Sequence, residues 1–146
     1  MKIAIVGAGA IGGYLGAKLA LAGEEVTFIA RNKNLAAINA RGFRLRLEDG
    51  SEQHASNVRA VQHMADAGVQ DAVLLTLKAH QVKDVLPDLR ALFGPDTMVV
   101  TMINGVPWWY FQKLGGSYDG RRLESVDPGG FKIGRASCRE RVLNLV

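Results

Sequence analysis

The stretch KIAIVGAGAIGGYLG, residues 2–16, decides the fold of this 146-residue chain. Lys2 to Val6 is a short apolar run typical of a buried strand, and the glycine-rich residues after it open a helical pattern that Gly23 closes. A second apolar run, from Val26 to Ala30, follows after two residues. The spacing therefore predicts a β-α-β unit with parallel strands and a right-handed crossover.

The turn between that strand and helix has glycine at the three positions of a dinucleotide-binding motif. It reads Gly7, Ala8, Gly9, Ala10, Ile11 and Gly12. Gly7 permits the tight turn, Gly9 lets the backbone approach a pyrophosphate, and Gly12 lets the helix pack close to the sheet. The helix amino terminus then offers unpaired N–H groups and a positive dipole end to the anion. Because the motif follows a strand and opens a helix, we predict that these six residues bind a nucleotide cofactor.

The segment VTFIARNKN, residues 26–34, indicates which nucleotide binds. In this class of fold an acid at the end of the second strand pairs with the ribose 2′-OH of NAD, whereas an arginine accommodates the 2′-phosphate of NADP. Glu24 and Glu25 precede the strand, so we expect them at its opposite end. Arg31 follows the strand, and its guanidinium can bond phosphate oxygens in a bidentate manner. The sequence therefore predicts NADP (NADPH), the alternative being that Arg31 is a solvated surface residue.

Residues 42–61 alternate in hydropathy across an Asp-Gly pair at 49–50. Such a pair favours the backbone angles of a tight turn, so the segment predicts a β-hairpin. Arg41, Arg44 and Arg46 alternate with apolar residues, which indicates the solvated face of a strand rather than a nucleic-acid site.

The remaining chain alternates between strand and helix patterns. A buried strand over 71–80 precedes a helix over 81–94, which Pro87 can kink and a Gly-Pro pair is expected to end. Another strand, over 97–107, runs into a turn. We therefore predict an α/β fold, Rossmann-like and doubly wound, whose mostly parallel sheet carries the β-hairpin as an insertion.

Two polar residues come at the ends of the last two predicted strands. Lys78 and Asn104 should both face the crevice beyond the carboxyl ends of the sheet, near the nicotinamide half of the ligand. An ammonium group neutralises negative charge, and an amide both donates and accepts hydrogen bonds. The alternatives are an exposed strand-end charge and a plain turn. His80 is interpreted as a surface residue, and His54 and His63 lack ligand spacing, so no metal site is predicted.

The amino-terminal domain of the 2-dehydropantoate 2-reductase family, also called ketopantoate reductases, resembles this chain. The resemblance rests on KIAIVGAGAIGGYLG, the Arg31 position, LLTLKAHQV and INGVPWW, and it covers residues 1–131, which we expect to form the NADP-binding domain. It implies NADPH-dependent reduction of a keto acid, 2-dehydropantoate, to pantoate in pantothenate biosynthesis. It also implies that Lys78 and Asn104 reach both cofactor and substrate, with Gln81 assisting at the cofactor.

The same resemblance implies a helical second domain that is missing from this chain. In the family that domain supplies the general acid, a lysine, and the main substrate-binding carboxylate, a glutamate. We therefore assign no catalytic residue to this chain and expect the fragment alone to be inactive. Hydride transfer itself is the chemistry of the cofactor, and the protein contributes placement and charge.

Residues 132–146 do not continue the family pattern. The segment IGRASCRERV, residues 133–142, is similar to translated sequencing-library adapter, so we interpret the tail as an artefact. It has few apolar residues and belongs to no predicted element, and we expect it to be disordered.

Composition excludes several classes of protein. The formal net charge is +4, of which four bases and one acid of the tail supply +3, so nucleic-acid binding is not expected. No apolar run approaches the ~20 residues that span a bilayer, and no signal-peptide pattern opens the chain. Cys138 is the sole cysteine, which excludes an intrachain disulfide. We expect a cytoplasmic protein that acts on a small molecule without membrane attachment.

Two other functions fit the same residues. Another NAD(P)-dependent dehydrogenase with this cofactor domain is the enzyme alternative. A non-catalytic, nucleotide-sensing module is the other, and it needs Arg31 and the glycine turn but neither Lys78 nor Asn104.

Overall fold

A parallel sheet forms the centre of the protein, as the computed structural model shows for residues 1–133 and the backbone of 142–144. Its strands are β1 (Lys2–Val6), β2 (Glu25–Ile29), β5 (Val58–Val61), β6 (Gln70–Leu75), β7 (Phe93–Thr101) and β8 (Val142–Asn144). They follow the spatial order β5-β2-β1-β6-β7-β8, and every neighbouring pair is parallel. The chain changes direction across the sheet between β1 and β6, which creates a crevice at their carboxyl ends. The predicted Rossmann-like α/β fold is confirmed.

Within residues 1–132, three α-helices connect the strands: α1 (Ala10–Leu21), α2 (Asn32–Arg41) and α3 (Val82–Leu89). The predicted stop of α1 is confirmed, because Gly23 adopts φ +95° two residues after the helix ends. The sequence pattern made no prediction for α2. Among the described residues, no helix combines the length and the apolar character that a membrane span requires.

The predicted hairpin consists of β3 (Phe43–Arg46) and β4 (Glu52–Ala55), which pair antiparallel. The prediction that it extends to residue 61 is wrong, because β5 leaves the hairpin and joins the main sheet beside β2. The Asn39 side chain of α2 holds it there: Ala60 N–H donates to Asn39 Oδ1 at 2.8 Å, and Asn39 Nδ2 donates to Ala60 O at 2.9 Å.

The arginine pattern of the hairpin is confirmed at two of its three positions. Arg44 and Arg46 are exposed on either side of the buried Leu45. Arg41 is instead the last residue of α2, so its assignment to the strand is wrong. An exposed arginine occurs in helices and in strands alike, so the alternation of arginine and apolar residues could not show that Arg41 belongs to a helix.

The helix predicted over 81–94 is shorter than expected. It ends at Leu89, a short 3-10 turn follows, and β7 already begins at Phe93. The Gly-Pro pair at 94–95 therefore lies inside a strand. The register with β6 is irregular there, and Gly94 N–H donates to Thr97 Oγ1 at 2.7 Å. This local bulge accommodates a proline that has no N–H to give to the ladder.

Apolar side chains fill both faces of the sheet. One cluster lies under α3 and comprises Ala4, Val6, Val73, Leu75, Val82, Val85, Leu86, Leu89, Leu92 and Val99, among others. The opposite cluster lies under α1 and the hairpin and comprises Ile3, Ile5, Ala17, Ala20, Val26, Phe28, Leu45 and Ala72, among others. Both faces of a parallel sheet are covered in this way, which is why its strands are apolar throughout rather than alternating.

The expectation that the tail belongs to no neighbouring element is wrong for its first two residues and for β8. The Asp127 carboxylate, 2% exposed, accepts from Lys132 N–H at 2.7 Å and from Ile133 N–H at 2.9 Å. Ile133 packs against the core, and β8 pairs with the open edge of β7. Ile133 is apolar and so can bury its side chain in the core, and the open edge of β7 can pair with any following strand, whether or not that strand belongs to the natural protein. The remaining tail residues lie outside the described part, and the adapter origin stays a prediction.

Cutting the chain after Phe131 is expected to lower its stability more than cutting it after Ile133. The first cut removes two N–H donors from the buried Asp127 carboxylate, and a buried acceptor left without donors costs roughly 1–3 kcal/mol. Thermal unfolding of the two truncated chains measures the difference. Equal unfolding midpoints would contradict a structural role for these bonds.

Candidate functional site

A cleft of about 340 Å³ opens beyond the carboxyl ends of β1 and β2. Its walls are Val6, Gly7, Ala8, Ile29, Ala30, Arg31, Asn34, Gln62, Met64, Leu77, Gln81, Asp84, Val85 and Asp88. Four residues predicted to bind the cofactor therefore meet here: Gly7, Ala8, Arg31 and Gln81. The other residues of the glycine turn follow Ala8 directly and begin α1.

The glycine turn allows α1 to pack so closely against the sheet that no side chain fits at Gly12. Gly7 adopts φ +112°, a backbone conformation that glycine reaches without strain. A Cβ on Gly12 would lie 2.0 Å from the Gly7 carbonyl oxygen and 2.5 Å from Thr76 Oγ1. Gly12 therefore allows the close approach of helix and strand. Larger side chains at this position displace the helix.

The start of α1 is exposed at Gly9, Ala10 and Ile11, directly after the cleft residues Gly7 and Ala8. Gly9 is the N-cap, with no side-chain capping bond and no acid in the first turn. A Cβ on Gly9 would meet no heavy atom within 4 Å. The N–H groups of the first turn have no acceptor inside a helix, so Ala10, Ile11 and Gly12 can donate to an anion placed there.

Arg31 lies at the opposite wall, where it is the N-cap of α2. Its side chain is exposed and makes no hydrogen bond or ion pair with the residues that the structure describes. The two acids considered for the ribose lie at the other end of the sheet, as predicted: Glu25 begins β2, and Glu24 pairs with the amino group of Met1. The guanidinium is therefore the charged group available at the end of β2.

Lys78 does not end a strand, contrary to the prediction, because β6 stops at Leu75. It begins a 3-10 turn that Gln81 closes: Lys78 N–H donates to Gln81 Oε1 at 3.1 Å, and Gln81 N–H donates to Lys78 O at 2.8 Å. This reciprocal capping bends the chain away from the sheet before α3 starts. Gln81 thus both lines the cleft and shapes the loop that presents Lys78.

Asn104 lies beside a second, smaller pocket of about 70 Å³. Contrary to the prediction it does not end a strand, because β7 stops at Thr101. Neither Asn104 nor Lys78 lines the 340 Å³ cleft. The pocket is lined by Ala79, Ile103, Asn104, Gly105, Val106, Pro107, Trp108, Trp109, Val126 and Lys132. Because Ala79 directly follows Lys78, the loops that carry Lys78 and Asn104 adjoin at this pocket. The predicted residues therefore form two neighbouring groups, separated by the turn at 78–81.

Trp108 and Trp109 give this second pocket an apolar wall. Their rings make an edge-to-face contact with centroids 4.3 Å apart, and Trp108 is 6% exposed. Such a pair buries a large apolar surface and holds the turn that carries Asn104.

The sequence did not predict three residues of functional interest, Thr76, Asp84 and Asp88. Asp84 and Asp88 line the cleft; they are four residues apart on α3, and this helical spacing was the available signal. Thr76 Oγ1 lies 2.7 Å from the Gly7 carbonyl oxygen, a contact between residues far apart in sequence. No local sequence pattern predicts such a contact, because the two residues are 69 positions apart.

A larger depression of about 580 Å³ shares Asp84 with the cleft and is lined by His80, Lys83, Asp84, Asp127, Pro128, Phe131 and Lys132. It contains none of the glycine-turn residues. The smaller cleft is the better candidate site because Gly7, Ala8 and the free Arg31 guanidinium line it, and α1 begins directly after these turn residues.

A parallel sheet in this order, with a glycine turn between β1 and α1, defines an NAD(P)-binding Rossmann-like domain. Residues 3–107 match the model of the family described as ketopantoate reductase PanE/ApbA. The chain belongs to this family.

Individual relatives support the assignment. A 2-dehydropantoate 2-reductase from Mesorhizobium japonicum is 54% identical over 131 residues, which is 89% of this chain and 40% of the relative. A solved structure of a candidate ketopantoate reductase from Ralstonia solanacearum superposes with a TM-score of 0.87 at 45% identity, over 98% of this chain and 43% of that one. A D-mandelate dehydrogenase structure with NADH and anilino(oxo)acetate gives a TM-score of 0.65 at 32% identity, over 73% and 35%. The chain thus spans about two fifths of the length of its closely similar relatives.

Gly12→Ala is expected to destabilise the fold, whereas Gly9→Ala is expected to leave its stability nearly unchanged. The added methyl group meets the Gly7 backbone at position 12 and empty space at position 9. Overpacking of this kind costs roughly 1–3 kcal/mol. Chemical denaturation of both variants provides the measurement. A Gly12→Ala variant as stable as the wild type would show that α1 can move away from β1 without penalty.

Proposed function

We propose that the full-length protein reduces 2-dehydropantoate to pantoate with NADPH, and that this chain is its cofactor-binding portion. The observation that carries the proposal is that Gly7 and Ala8, which lead directly into α1, line one cleft together with the unpaired Arg31. Membership of the ketopantoate reductase family and the names of the relatives support the reaction. Steady-state assays of the full-length protein with 2-dehydropantoate and NADPH test it.

The charges of the cleft favour one placement of the cofactor. Arg31 and the first turn of α1 attract phosphate groups, whereas Asp84 and Asp88 line the same cleft and repel them. We infer that the pyrophosphate lies at the first turn of α1 and the 2′-phosphate at Arg31. NADPH supplies the hydride when it is bound, and the residues of this chain hold and orient it.

Lys78 and Asn104 are proposed to act where the nicotinamide and the keto acid meet. An ammonium at Lys78 can neutralise the carboxylate of a keto acid, and the Asn104 amide can donate to its oxygens. Both residues are exposed, and their loops adjoin at the pocket walled by Trp108 and Trp109. The proton donor is proposed to reside in the part of the protein that this chain does not contain.

Reduction of another 2-oxo acid is the second candidate. The similarity to a D-mandelate dehydrogenase with NADH and the tryptophan wall beside Asn104 both favour it. A panel of aliphatic and aryl 2-oxo acids, assayed with the full-length protein, separates the two activities. A nucleotide-sensing module without chemistry would turn over none of them and would bind NADPH equally well after Asn104→Ala.

Arg31→Ala is expected to weaken NADPH binding by about one to two decades and to leave NADH binding nearly unchanged. A charged hydrogen bond contributes roughly 1.5–3 kcal/mol, and the 2′-phosphate exists only in NADPH. Arg31→Asp is expected to reverse the preference, because a carboxylate repels phosphate and accepts from the ribose hydroxyl. Dissociation constants for both nucleotides, measured at one fixed salt concentration, provide the test.

Lys33→Ala is the matched control for these variants. Lys33 is an exposed base two residues further on that does not line the cleft, so its loss is expected to have the smaller effect. Equal losses for NADH and NADPH in Arg31→Ala would mean that Arg31 supports structure and does not select the nucleotide.

The 146-residue chain alone is expected to show no NADPH-dependent reduction of 2-dehydropantoate. It spans two fifths of the length of a relative named 2-dehydropantoate 2-reductase, and we propose that the proton donor lies in the remaining part of the full-length protein. The measurement is NADPH oxidation by the purified chain. Turnover that the Asn104→Ala variant loses would refute this expectation, because the activity would then belong to this chain.

A further inference from the structure

We propose that Thr76 is a positioning residue, which aims the backbone N–H of Ala8 into the nucleotide cleft. Thr76 immediately follows β6, and its own N–H extends the ladder to Val6 O at 3.0 Å. Its hydroxyl lies 2.7 Å from Gly7 O and 3.1 Å from Val6 O. A hydroxyl has one hydrogen to donate, and the shorter distance identifies Gly7 O as the main acceptor.

The Gly7 carbonyl oxygen is held by the Thr76 hydroxyl. It lies between Thr76 and the first turn of α1, where a Cβ on Gly12 would be 2.0 Å from its oxygen. In a planar trans peptide the C=O of one residue and the N–H of the next point in opposite directions. Fixing Gly7 O beside Thr76 therefore turns the Ala8 N–H the other way.

Ala8 is in the right place for this donor to serve a ligand. It lines the cleft, and its N–H has no acceptor among the residues that the structure describes. Backbone N–H groups at such turns bind the phosphates of nucleotides. This role rests on the proposed NADPH-binding function of the cleft.

A fixed donor is needed here because glycine does not fix the peptide by itself. Gly7 has φ +112° and no Cβ, so the peptide that joins it to Ala8 can rotate at low cost once nothing holds its oxygen. Among the described residues, Thr76 Oγ1 is the donor that reaches Gly7 O. Loss of the hydroxyl frees that peptide and leaves the strand and helix bonds in place.

The test compares Thr76→Val, which removes the hydroxyl but keeps the shape, with Thr76→Ser, which retains the donor. The ligands are NADP⁺ and adenosine 2′-monophosphate, which carries the 2′-phosphate but no pyrophosphate. Thr97→Val is the matched control, because Thr97 Oγ1 donates to Gln70 O at 2.6 Å at the opposite end of the sheet. Binding is followed calorimetrically with the 146-residue chain, and folding by circular dichroism.

Thr76→Val is expected to bind NADP⁺ about fivefold more weakly, the effect of one neutral hydrogen bond, and to bind adenosine 2′-monophosphate as the wild type does. Thr76→Ser should restore NADP⁺ binding, and Thr97→Val should lower stability without altering either affinity.

Unchanged NADP⁺ affinity in Thr76→Val, or equal loss of both ligands, overturns the positioning role. Thr76→Ala replaces Thr76→Val if the latter does not fold, and failure of both variants to fold likewise assigns the hydroxyl to structure. A wild-type chain that binds neither ligand overturns the proposed cofactor function itself.

Discussion

The close approach of α1 to the end of β1 is the contact on which the rest of the structure depends. It leaves no room for a Cβ at Gly12, which would collide with the Gly7 carbonyl. Because the helix starts directly above the strand end, its unpaired N–H groups open on the same side of the sheet as the end of β2. The cleft that we propose as the nucleotide site borders on this packing, because Gly7 and Ala8 line it.

The parallel sheet then gathers residues that are distant in sequence. The carboxyl ends of β1, β2, β6 and β7 lie along one edge, and the glycine turn, Arg31, Lys78 and Asn104 each follow one of these strands. Two regions result, a larger cleft with phosphate-binding groups and a smaller pocket with an aromatic wall. The turn closed by Gln81 separates them.

Local patterns were sufficient wherever a single segment carries its own signal. Gly7 of the glycine turn, the stop at Gly23 and Gly50 of the Asp-Gly turn each depend on backbone angles that few residues adopt, so the residue type predicts the structure. The position of Arg31 after an apolar run likewise predicted that it lies at the carboxyl-end edge of the sheet, where it lines the cleft. Prediction failed at the Gly-Pro pair of β7, where a bulge tolerates a proline that normally ends an element.

The sequence by itself thus determined the class of fold, the glycine turn and the candidate bases around it, because these follow from periodicity and from the steric freedom of glycine. Tertiary structure alone decided that β5 joins the main sheet and that Asp84 and Asp88 face Arg31's cleft. It also decided that Thr76 bonds Gly7 O across 69 residues of sequence. These contacts join segments whose local patterns are independent, so packing of the whole sheet is required before they exist.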